Sequence, residues 1–157
     1  MKFFRDKLYE DITIPAPPKD DIGEAAEVKR LIANRTAEQE KSIADHDEVP
    51  FYAIKKYCDD NKMMFHKDEF KDIIYGATDT INYFKDKFDR KRPIEVDKTL
   101  DTSPSKTNKT PSYPSGHAAQ SRIVARYVAG KFPEHEANLI EAGNECGYGR
   151  VLAGFHY

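Results

Sequence analysis

No stretch of this 157-residue sequence approaches the roughly 18 consecutive apolar residues that a membrane-spanning helix needs. The opening MKFFRDKLYED carries charge where a secretory leader carries its apolar core, so neither a spanning segment nor an export signal is expected. Cysteine is scarce: Cys58 and Cys146 form no C-x-x-C pair and no Cys/His spacing suited to zinc, and two ordinary thiols are the expectation. Whether they pair is left open. An excess of one charge is lacking too, because 25 basic and 27 acidic residues leave a net charge of −2, which gives no case for nucleic acid or an anionic membrane as partner. Leu, Ile, Val and Phe make up about a fifth of the chain, at the edge of the disordered range. The near-neutral balance and the large apolar surfaces of 9 Tyr and 9 Phe favour a lean folded globule, and the length suits one domain. Strand-like alternation and internal repeats are missing throughout, so the fold class is all-α.

What is present divides the chain into an extended Pro-rich lead-in over 1–19 and a helical domain over 20–157. Pro15, Pro17 and Pro18 forbid a helix over 13–19, because each ring removes a donor and restrains its neighbour. Asp20 or Asp21 caps a helix to about Asn34 with Ile22, Ala25, Ala26, Val28 and Ile32 on its apolar side. Thr36 and Gln39 form a capping-box pattern for a helix to about Asp45, and a third candidate spans about 50–58. The clearest helix covers 66–88, where Phe70, Ile73, Ile74, Ala77, Ile81, Phe84 and Phe88 repeat at helical spacing. A polar stretch with four prolines follows to Pro114, too long for a routine connection. Ser115 then caps a helix carrying Ala119, Ile123, Val124, Tyr127 and Val128, and Pro133 suits the first turn of a last helix carrying Ala137, Ile140, Val151 and Leu152.

Three polar clusters suggest chemistry. Lys85 and Arg92 stand seven residues apart, nearly two helical turns, so on one helix they project from one stripe about 10 Å apart and converge on a dianion. Pro93 pushes Arg92 toward extended geometry, ending the helix and turning its guanidinium out of the surface. Pro114-Ser115-Gly116-His117 opens a helix, where free backbone N–H groups and the dipole attract an anion, Gly116 admits it to the backbone and His117 can touch it. Arg150 and His156 lie on different faces of an unbroken helix and share a site only if the helix breaks between them, for which Gly154 is suited. Asp45-His46-Asp47-Glu48 resembles a metal-ligand run, but adjacent helical residues diverge by about 100°, so it reads as a solvated helix end. His66 and His135 read as helix-end surface residues.

In order along the chain these clusters resemble the three-part signature K-x6-R-P, P-S-G-H, S-R-x5-H-x3-D of the type 2 phosphatidic acid phosphatase superfamily. Lys85 to Arg92-Pro93 and Pro114 to His117 match in full. Arg150 to His156 matches in part, with Gly149 at the motif's Ser and the motif's Asp falling beyond Tyr157. The similarity is to the soluble bacterial class A non-specific acid phosphatases, whose Pro-rich lead-in IPAPP echoes, and it implies a helical bundle of that type, truncated at its C-terminal end. Members of this branch are usually exported.

The resemblance implies a metal-independent acid phosphatase acting on a small phosphomonoester. It makes His156 the nucleophile and His117 the general acid, and Lys85, Arg92, Ser115, Gly116 and Arg150 the phosphate-binding set. Phosphoryl transfer is mostly positioning and charge stabilisation, which these groups suit. No metal and no cofactor are implied; vanadate is expected as an inhibitor. Under the alternative of a vanadate-dependent haloperoxidase it would be the cofactor, and a non-catalytic phosphate-binding remnant is a second alternative. The truncated segment is expected to fray around His156.

Overall fold

The computed structural model describes residues 4–157, and among them every regular element is helical. A 3-10 turn, Leu8–Glu10, is followed by α1 (Asp21–Ala33), α2 (Ala37–Glu48), α3 (Tyr52–Asp60), α4 (Lys67–Phe88), the short α5 (Pro93–Val96), α6 (Gly116–Lys131), a second 3-10 turn (Pro133–His135) and α7 (Glu136–Leu152). The fold is a single all-α domain. No helix among the described residues is long and apolar enough to cross a membrane.

Local chemistry sets most of the boundaries. The Asp20 carboxylate accepts from Gly23 N–H and starts α1. Thr36 and Gln39 make both bonds of a capping box, which starts α2 one residue later. Ser115 Oγ accepts from Ala118 N–H at the head of α6. The proline-rich 12–18 segment has no helix, but the lead-in is not extended throughout, since Leu8–Glu10 closes one 3-10 turn; its first three residues lie outside the described residues.

α6 and α7 form the most extensively packed pair, with α4 against α6 and α2 and α3 against α7. A Cβ at Gly143 of α7 would come within 2.8 Å of Ala125 Cβ on α6, so glycine is what lets these two backbones approach. The main core joins Ile54 and Cys58 of α3, Phe70 and Ile73 of α4, Val124, Ala125 and Val128 of α6 and Leu139 of α7. Ile22 stays exposed beside the buried Ala25, Val28 and Ile32, and Ala137 is exposed where Leu139 enters the core. Cys58 and Cys146 are separate buried thiols, pushed up to about 11 and about 12 by burial.

Five expectations are corrected. α4 ends at Phe88 because Asp89 adopts a left-handed conformation, φ +41°, so Lys85 and Arg92 do not share a helix stripe. The long polar loop is interrupted by α5. Arg92 is its extended N-cap, yet the guanidinium points inward and the residue is only 4% exposed. His46 is buried rather than solvated: its Nδ1–H donates to Ser42 O at 2.8 Å and Nε2 accepts from Ala53 N–H at 3.3 Å. Finally, the segment after α7 is packed, with Phe155 1% and His156 7% exposed.

Candidate active site

α7 ends in a turn that its sequence specifies. Phe155 N–H donates back to Arg150 O at 3.1 Å and Gly154 N–H to Val151 O at 2.9 Å, the paired bonds of a Schellman cap. Gly154 supplies the left-handed residue, φ +79°, and a Cβ there would meet Thr102 Cγ2 at 2.8 Å. The reversal lays the Phe155 ring against the Arg150 guanidinium, 4.4 Å from carbon to centroid. It also carries His156 to the same cavity that Arg150 lines. The helix break expected at Gly154 is thus present.

Three successive carbonyls of the loop before α6 hold three side chains of the site. Thr110 O accepts from Arg92 Nε at 2.7 Å, Pro111 O accepts from Lys85 Nζ, and Ser112 O accepts from His156 Nδ1 at 2.6 Å. Arg92 Nη1 also donates to Phe155 O at 3.0 Å and lies 3.4 Å from His156 Nε2. A ring nitrogen that donates to a carbonyl carries the proton, so in neutral His156 Nε2 is the nitrogen with the free lone pair. Lys85, Arg92, Gly116, His117, Arg150 and His156 together line a cavity of about 170 Å³. Ser115 is beside it as the cap of α6. With Ala118 and Ala119 N–H bonded to Ser115, the N–H groups of Gly116 and His117 are the first-turn donors with no hydrogen-bond partner among the described residues.

Asp47 ties the other wall together. Its carboxylate accepts from Arg150 Nη1 at 2.5 Å, Ser105 Oγ at 2.7 Å and Thr107 Oγ1 at 3.2 Å, while its carbonyl accepts from His117 Nε2–H at 3.1 Å. Burial raises the Asp47 carboxyl, but the bonds from Ser105 and Arg150 outweigh it and keep the group below the usual range. Arg150 is 2% exposed, and its Nε is buried without a hydrogen-bond partner.

The site is electropositive and partly unpaired. Among the described residues no carboxylate lies within ion-pair distance of Lys85 or Arg92, although both are buried. Burial, then the nearby Arg92 and Arg150, holds the Lys85 ammonium down to about 8. Arg92 is lowered to about 10, by burial and then Arg150. His156 sits well below the ordinary histidine value, from burial first and then Arg92, Arg150 and Lys85. His117 is lowered as well, by burial and then Arg150. Buried cations in this state are stabilised by an anion.

The structure brings together six of the seven residues singled out from sequence in one cavity, with Ser115 shaping its edge. It adds three that the sequence reading missed: Asp47, Thr107 and Ser112. Asp47 stood in a run dismissed as a solvated helix end, and Ser112 contributes through its main chain, which no side-chain pattern reports. Gly149, at the place of a motif Ser, faces Ile43, and a Cβ there would make ordinary contact at 3.8 Å.

No family model matches the chain. It is 34% identical over 82 residues to an acid phosphatase of Zymomonas mobilis subsp. mobilis, a match that covers 50% of this chain and 31% of that protein. The similarity relates the chain to a phosphatase; it spans less than a third of the length of that relative.

Proposed function

We propose that this chain is a phosphoric monoester hydrolase of the type 2 phosphatidic acid phosphatase superfamily, an acid phosphatase working through a phosphohistidine. The reading is carried by one observation: a histidine held neutral, with its unprotonated nitrogen 3.4 Å from the buried Arg92 guanidinium, which ion-pairs with no carboxylate among the described residues.

In this mechanism Lys85, Arg92 and Arg150 grip the phosphoryl oxygens together with the N–H of Gly116. Ser115 holds the first turn of α6 in place. His156 Nε2 attacks phosphorus and the bond to the ester oxygen breaks. Protonated His117 gives that oxygen its proton, so the alcohol leaves neutral. His117 Nε2–H is committed to Asp47 O, which makes Nδ1 the donor. Water then attacks the phosphohistidine, giving its proton to His117 and releasing phosphate with His156 restored. The two histidines serve opposite roles because bound dianion raises His117, the less shifted of the pair, into its charged form.

Metal independence is part of the proposal; no group of three or more His, Cys, Asp or Glu suited to hold a metal ion occurs among the described residues. The test is hydrolysis of p-nitrophenyl phosphate with and without a chelator, beside acid-labile, alkali-stable label on His156 after rapid quench. Turnover that survives chelation and vanishes in His156→Ala is expected. Activity lost on chelation and restored by a divalent ion overturns the metal-free step, and full activity in His156→Ala overturns the nucleophile.

A further inference from the structure

A third buried arginine borders the site and takes no part in the mechanism above. Arg90 is 8% exposed. Its Nε donates to Asp21 Oδ1 at 3.0 Å and its Nη2 to Glu24 Oε2, both in the first turn of α1. The guanidinium itself lies over the Tyr157 ring, 3.8 Å from carbon to centroid. Tyr157 directly follows His156, so the clamp grips the main chain one residue past the ring that matters.

The backbone of the same arginine reaches His156 from the other direction. Arg90 O accepts from Ser112 N–H at 2.8 Å, and Ser112 O accepts from His156 Nδ1 at 2.6 Å. Ser112 is 3% exposed, which leaves its N–H and carbonyl no water to turn to. Arg90 therefore holds both the carbonyl that sets the His156 tautomer and the residue that sets where its backbone lies.

We propose that Arg90 is a positioning residue for His156, acting through Ser112 and Tyr157, with Asp21 and Glu24 of α1 as its anchors. Its effect on rate rests on the reading of His156 as nucleophile; its effect on the ring does not. A planar fork is required here. Lysine presents one point charge, which cannot serve two carboxylates and lie flat on a ring at once. The Arg90 carbonyl survives any side-chain replacement, so a variant at this position tests the clamp and leaves the Ser112 bond chemically available.

The experiment compares the parent chain with Arg90→Lys and with the double variant Asp21→Asn/Glu24→Gln. The readouts are the ¹⁵N shifts of the His156 ring without substrate, vanadate affinity, and p-nitrophenyl phosphate kinetics. In the parent, the shifts are expected to give Nδ1 protonated and Nε2 bare at neutral pH. In both variants a mixture of tautomers is expected, with vanadate affinity changed by less than about threefold and kcat lowered by about 10- to 100-fold at nearly constant KM, the size of a small misplacement of a reacting group. If Arg90→Lys does not fold, the double variant carries the same readout, since its carboxylates are about one-third exposed. A parent-like tautomer ratio in the folded variants overturns the proposal. A shifted ratio with turnover indifferent to His156→Ala overturns the phosphohistidine reading and leaves Arg90 as the positioner of this ring.

Discussion

Arg92 Nη1 stands 3.4 Å from His156 Nε2, and burial first, then this neighbouring guanidinium, keeps the histidine in its neutral form. A proton on Nε2 would face a guanidinium at contact distance with no carboxylate between them. The ascending limb of the kcat/KM profile should accordingly lie well below the ordinary histidine range, where His156 finally protonates. Under the proposed mechanism the descending limb should follow His117, the proposed acid, whose pKa is itself lowered, by burial and then Arg150. A bell with its optimum below about pH 6.5 is expected. His117→Asn should lose most of the rate, on the order of 10²- to 10⁴-fold, and flatten the descending limb. A profile of unchanged shape in that variant removes His117 as the acid.

The same two histidines make the fold acid-sensitive. Their folded values lie below the unfolded one, so the unfolded chain binds more protons between them. Stability from these groups is full above about pH 6.5 and is lost as the pH falls through that window. Thermal melts from pH 7.5 down to 5 should show a falling midpoint, and saturating phosphate should blunt the fall.

Lys85 provides the reverse test. Its ammonium is held down to about 8, against 10.5 in the unfolded chain, so its charge costs stability below pH 8 and the cost fades as the pH rises toward 10.5. Lys85→Met should stabilise the free protein near neutral pH, on the order of 1 kcal/mol, while weakening vanadate binding about 10- to 100-fold. In the parent, binding phosphate between pH 8 and 10 should take up a proton, measured by calorimetry in buffers of different ionisation enthalpy. No uptake would place Lys85 outside the anion's reach.

Asp47 balances Arg150 in the absence of ligand. Asp47→Ala leaves a buried guanidinium unpaired, at a cost of about 3–5 kcal/mol. The melting point should drop, and the rise on adding vanadate should be larger than in the parent, because the anion then supplies the only counter-charge. Equal vanadate-induced shifts would show that the ligand does not meet Arg150.

Gly154 connects stability to the site. Alanine there must hold φ near +79° with its Cβ against Thr102, which costs about 1–3 kcal/mol. Because the cap turns the chain toward His156, Gly154→Ala should also lower kcat by more than its melting shift accounts for. A stability loss with unchanged kcat in the folded fraction would separate the cap from the catalytic geometry.

The sequence by itself determined what depends on neighbours in the chain. Asp20, Thr36 with Gln39, and Ser115 cap helices because the groups they satisfy lie within three residues. The apolar spacing of α4 buries Phe70, Ile73, Ala77, Ile81 and Phe84, and Gly154 breaks the path after α7 as its backbone freedom requires. Tertiary structure decided what depends on groups far along the chain. Arg92 turns inward because the carbonyls of Thr110 and Phe155 await it. Asp47 turns from its charged run to Arg150, 103 residues away, because a guanidinium held out of water needs a counter-charge. Ser112 matters for a carbonyl that every residue type possesses and only the fold can aim. A buried charge or donor takes whichever partner the packing brings within 3 Å, and that partner's position in the chain is not written in the residue itself.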